Sequence, residues 1–63
     1  MTYDLKLNSG EEISIRITQD RESGVFIAHY PAFNISTEGN TLSEAKTQII
    51  EAIELYLKEI TNR

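Results

Sequence analysis

Cysteine and tryptophan are both absent from this 63-residue chain. Without a thiol there is neither a disulfide framework nor a thiolate metal site, so a domain this small must rely on apolar packing or on self-association. Cations are scarce: six Lys and Arg stand against ten Asp and Glu, giving a formal charge of -4 and a pI near 4.8. That balance works against nonspecific attraction to nucleic acid and suits a basic partner. Long apolar runs are missing as well. No stretch reaches the ~18 apolar residues of a membrane span, and Met1-Thr2-Tyr3-Asp4 lacks the basic and apolar regions of a secretion signal, so a soluble, cytoplasmic protein is expected. No glycine-rich phosphate loop occurs, and there are no repeats, low-complexity tracts or linkers. Residues 1–63 read as a single domain, near the lower size limit for an independent core.

What is present is alternation followed by helical periodicity. Tyr3, Leu5 and Leu7 alternate with Asp4, Lys6 and Asn8, the two-residue period of a strand with one buried face. Asn8-Ser9-Gly10 is a turn in which Gly10 is free to take positive φ. From Glu11 to about Gln19, Ile13, Ile15 and Ile17 point one way and Ser14, Arg16 and Thr18 the other. Asp20 to Gly24 forms a hairpin loop. Val25 to Tyr30 is a third strand, dense enough in apolar and aromatic residues to imply two buried faces. Pro31 ends that strand or bends an edge. Asn34 to Thr37 is a candidate fourth strand, and Glu38-Gly39-Asn40 turns the chain.

Thr41 and Glu44 make a capping box, with the Thr41 hydroxyl accepting from the Glu44 amide and the Glu44 carboxylate reaching back toward the helix start. At 100° per residue, Leu42, Ala45, Ile49, Ile50, Ala52, Ile53, Tyr56, Leu57 and Ile60 span roughly 160°, wider than the stripe one packed face needs. Leu55 lies outside that arc. The surplus flank, bearing Ile50 and Leu57, is read either as an oligomer interface or as a fold over a sheet edge. Residues 61–63 are expected to fray. The fold class is therefore α+β: a three- to four-stranded antiparallel meander with one C-terminal helix on one face, forming a homodimer or higher oligomer.

Candidate chemistry is sparse. His29 is the single histidine, and without Cys or a second His it makes no recognisable metal site. As a general base it would need a partner that the linear sequence does not nominate. Glu54 and Lys58 have the spacing of a solvated i, i+4 pair, which explains helix charge without chemistry. Phe26, Tyr30 and Phe33 resemble base-stacking platforms only superficially, because the third strand carries no interleaved Lys or Arg; core or protein-interface packing is the stronger reading. No catalytic residue, cofactor or metal ligand is assigned.

The order of the pieces carries a resemblance. Gly24-Val25-Phe26-Ile27-Ala28-His29-Tyr30-Pro31 leads through a short polar link into Gly39-Asn40-Thr41-Leu42-Ser43-Glu44-Ala45, which opens a helix ending in Glu51-Ala52-Ile53-Glu54-Leu55-Tyr56-Leu57. Over residues 11 to 58 this resembles the HicB-like antitoxin family. The resemblance implies a partial RNase H-like sheet-and-helix domain and a protein-binding role, in which the module covers a small basic HicA-type ribonuclease toxin; catalysis belongs to that toxin. For such a role the acidic loop and the aromatics of the third strand and its turn are the candidate partner-binding residues: Asp20, Glu22, Phe26, Tyr30 and Phe33. There are departures. No ribbon-helix-helix or helix-turn-helix segment follows, so direct DNA binding is not expected, and neither is a membrane role. Where the family reads P-D-L-P-G, this chain has Pro31-Ala32-Phe33-Asn34-Ile35. Thr2 to Asn8 resembles an added strand filling an edge position. The alternative is an orphan HicB-like domain that binds RNA or acts through self-assembly; a small hydrolase is a more distant possibility.

Overall fold

The computed structural model describes residues 1–61. Four strands follow one another as a meander: β1 (Thr2–Lys6), β2 (Glu12–Gln19), β3 (Phe26–Tyr30) and β4 (Ile35–Gly39), paired antiparallel in the spatial order β1-β2-β3-β4. A 3₁₀ turn, Pro31–Phe33, separates β3 from β4, and helix α1 (Leu42–Thr61) follows. The protein is thus an α+β domain, with four strands rather than three. Helix α1 continues through Thr61, where fraying was expected; Asn62 and Arg63 lie outside the described residues.

Register sorts the side chains. Ile15 stands opposite Tyr3, Ile13 opposite Leu5, and Ile17 opposite Ala28, which in turn faces Thr37. Because neighbours across strands share a face, these residues form one apolar layer. Against it α1 sets Ala45, Ile49 and Ile53, and the core comprises Leu7, Ile13, Ile15, Ile17, Ala28, Ala45, Ile49 and Ile53. Ile15, Ile49 and Ile53 are its largest fully buried side chains, so the strongest alternation in the sequence supplies the strand side of the core.

The turns are built as local chemistry dictates. Gly10 has φ 94°, and its amide donates to the Leu7 carbonyl at 2.9 Å. In the β2–β3 loop the Asp20 carboxylate accepts from the Glu22 amide at 3.1 Å and the Ser23 hydroxyl at 3.0 Å, an Asx-type turn closed from within. Tyr30, held extended by the proline after it, leads into the 3₁₀ turn, which ends at Asn34 in the left-handed region at φ 55°.

Three expectations change. β3 does not have two buried faces: Phe26, Ala28 and Tyr30 face the core, while Ile27 and His29 lie half-buried on a face that no layer of the described chain covers. Their partial burial comes from cross-strand neighbours, Thr18 and Glu38 beside Ile27, and Arg16 and Ser36 beside His29. Gly39 is not a turn residue. It is the last residue of β4 and is buried, and a Cβ there would stand 2.5 Å from the Ala45 nitrogen, so glycine is required for close approach between strand and helix. The cap forms with Glu44 N–H donating to Thr41 Oγ1 at 3.0 Å, but the Glu44 carboxylate accepts from Asn40 N–H, one residue before the helix cap, also at 3.0 Å.

Candidate binding surfaces

The five residues nominated for partner contact fall into two places. Asp20 and Glu22 sit in the β2–β3 loop, with Phe26 just beyond it; Tyr30 and Phe33 lie at the other end of β3. Five residues of extended chain separate Val25, which anchors the loop, from Tyr30, about 17 Å at the antiparallel rise. Both Asp20 carboxylate oxygens are engaged within the loop, which leaves Glu22 as its outward acidic group.

Phe26, Tyr30 and Phe33 are half-buried and pack against the core from the helix side. Phe26 forms part of a shallow apolar depression of about 310 Å³, shared with Met1, Tyr3, Ile17 and Leu42. Tyr30 and Phe33 belong to an aromatic cluster. Their rings meet edge to face with centroids 5.2 Å apart, and Phe33 lies 4.5 Å from Tyr56 of α1. Both separations are within the range of favourable aromatic pairs. Tyr56 is 41 % exposed and Ile60, one turn later, 51 %, so the cluster continues into an accessible apolar strip. In the sequence Tyr56 belongs to the helix; its role in a cluster depends on the 3₁₀ turn delivering Phe33 to the helix, which periodicity does not show.

Ile50 and Leu57, nominated for an oligomer interface, are half-buried against the chain's own core. The exposed apolar residue of the outer helix surface is Leu55, at 62 %. It lines an open groove with Asn8, Glu51, Glu54 and Lys58.

The uncovered sheet face is polar. Asp4 accepts from the Ser14 hydroxyl at 3.1 Å, and His29 Nδ1 lies 2.8 Å from Ser36 Oγ. The second contact is one that the linear sequence did not nominate. Ser36 comes opposite His29 only through the β3–β4 register, across the Pro31 turn. A hydroxyl beside an imidazole is the first element of a nucleophile and base pair, which also requires an orienting group and donors for an oxyanion. This one lies on an open strand face, with neither assembled around it among the described residues. The described residues also bring no three His, Cys, Asp or Glu together as a metal site, and no described helix is long and apolar enough to cross a membrane. Thr37 is a different kind of exception: its hydroxyl oxygen, buried on the core face, has no hydrogen-bond partner.

No family model, no curated protein and no solved structure matches this chain.

Proposed function

We propose that this protein is a non-catalytic binding module of the HicB-like kind, which neutralises a small, basic, HicA-type ribonuclease by covering its active site. The observation that carries the proposal is the order in which the resembling segments assemble. β2 and β3 form a hairpin, β3 ends at Pro31 in a tight turn, β4 returns beside it, and the Thr41 and Glu44 cap opens a helix that packs back over the sheet. The formal charge of -4 adds electrostatic complementarity to a basic partner. The Tyr30, Phe33 and Tyr56 cluster supplies the aromatic anchor that protein interfaces favour. The two nominated regions, about 17 Å apart, fit within one interface of about 800 Å² per partner.

Co-expression with a neighbouring small open reading frame is the test, scored by growth rescue and co-purification. Rescue with a stable complex is expected, and replacing Tyr30 and Phe33 with Ala should release the partner. A double variant that keeps its circular-dichroism spectrum and its affinity would remove the assignment of that surface. A harmless or unbound neighbour, together with salt-titratable retention of the protein on immobilised RNA, would instead favour the orphan RNA-binding reading.

A further inference from the structure

The free edge of β1 carries a pattern that fits a second copy of itself. Met1 and Ile17 exchange backbone hydrogen bonds, with Ile17 N–H donating to the Met1 carbonyl at 2.8 Å and the Met1 amine to the Ile17 carbonyl at 3.2 Å. Hydrogen-bonded and non-bonded pairs alternate in an antiparallel ladder. Tyr3 and Leu5 therefore direct their amides and carbonyls to β2, through their partners Ile15 and Ile13. Thr2, Asp4 and Lys6 direct theirs outward, where the sheet has no further strand among the described residues. Their side chains lie on the uncovered face and are exposed. Tyr3 and Leu5 are half-buried on the helix side, at the edge of the core.

We infer that two copies join antiparallel along β1, with Asp4 of each opposite Lys6 of the other and the two Leu5 side chains facing across the two-fold axis. Ladder parity admits only registers that set outward-pointing residues against one another. Within that set, centring on Asp4 opposes two carboxylates, and centring on Lys6 opposes two ammonium groups. Centring on Tyr3 shortens the pairing. Centring on Leu5 alone makes two opposite-charge pairs, each of a kind that favours its register. The neighbours extend the match: Lys6 already stands opposite Glu12 within its own chain, and Asp4 opposite Ser14. Each row across the joint then reads Glu12, Lys6, Asp4 of the second copy, Ser14 of the second copy, so that the cation lies between two carboxylates. On the other face Leu5 meets Leu5, and Tyr3 meets Leu7.

The opposite edge lacks this complementarity. By the same parity β4 turns Ser36 and Glu38 outward, so self-pairing there brings together no opposite charges, and α1 lies over that edge. A two-fold axis through the β1 joint makes one eight-stranded sheet with both helices on one side and the polar faces continuous on the other. The inference is independent of the antitoxin reading, since it concerns a strand outside the residues that carry the resemblance.

Sedimentation equilibrium tests it together with amide exchange by NMR. The protein should sediment as a dimer, and the Asp4 and Lys6 amides should show protection that rises with concentration. Asp4→Lys should weaken the dimer by roughly tenfold or more, because two attractions become two repulsions. Asp4→Lys combined with Lys6→Glu should restore it. A monomer at all concentrations would overturn the proposal, as would a dimer indifferent to Asp4→Lys, or one whose Asp4 and Lys6 amides exchange as freely as unpaired ones. The exchange measurement on the unaltered protein decides the matter if a variant fails to fold.

Discussion

Helix α1 meets the two edges of the sheet in different ways. At β4 it approaches backbone to backbone: Gly39 lies against Ala45 so closely that a single added carbon would collide with the Ala45 nitrogen and Cα. At β1 the contacts are made by side chains, among them the Lys46 ammonium standing 4.5 Å from the centre of the Tyr3 ring. A backbone contact has no rotamers with which to adapt, whereas a lysine stem has several. One edge is therefore fixed in distance and the other is tethered. The fixed edge is the strand that leads directly into the helix, and the tethered edge is the N-terminal strand.

Substitutions can break or sharpen that contrast. Gly39→Ala should have the largest effect, a loss of about 1–3 kcal/mol from overpacking against a backbone that can move only by shifting the helix; urea denaturation would measure it, and an unchanged midpoint would show that the edge is not fixed after all. Thr37→Val should act in the other direction. It keeps the shape while removing a buried hydroxyl that has no partner, for a gain of about 1 kcal/mol, visible as a raised melting temperature. The smallest effect belongs to the tether: Lys46→Met retains most of the stem but removes the charge over Tyr3, costing about 0.5 kcal/mol. A loss as large as that of Gly39→Ala would mean that the two edges are held alike.

Much of this arrangement is legible in the sequence because it follows from parity and periodicity. The alternation of Ile13, Ile15 and Ile17 identifies the core face of β2, and Tyr3, Leu5 and Leu7 do the same for β1. Thr41 and Glu44 mark the helix start, and Ala45, Ile49 and Ile53 its buried stripe. What escapes is whatever depends on how separate elements meet. Gly39 has the composition of a turn residue and the position of a spacer, and only the helix beside it distinguishes the two. The apolar residues of β3 imply cover on both sides, yet Ile27 is only shaded by its strand neighbours. Ile50 and Leu57 extend the helix arc beyond one face, and both lie half-buried against the chain's own core. The candidate contact residues illustrate the same limit, since composition nominates Phe26, Tyr30 and Phe33 together while β3 carries Phe26 to one end and the other two to the opposite end.

A 20-residue helix laid on strands of five to eight residues has a hydrodynamic consequence. At 1.5 Å per residue α1 is about 30 Å long, and in a molecule measuring 41 × 19 × 17 Å it can lie only along the long axis. The monomer is a short rod that spins about this axis faster than it turns end over end. Helical N–H bonds, which run along the axis, report the slow rotation, and nitrogen relaxation should therefore separate helix from sheet even where both are equally rigid. Joining two such rods side by side along β1 would broaden the particle and narrow that separation, so the anisotropy of tumbling measures the assembly without a label or a substitution.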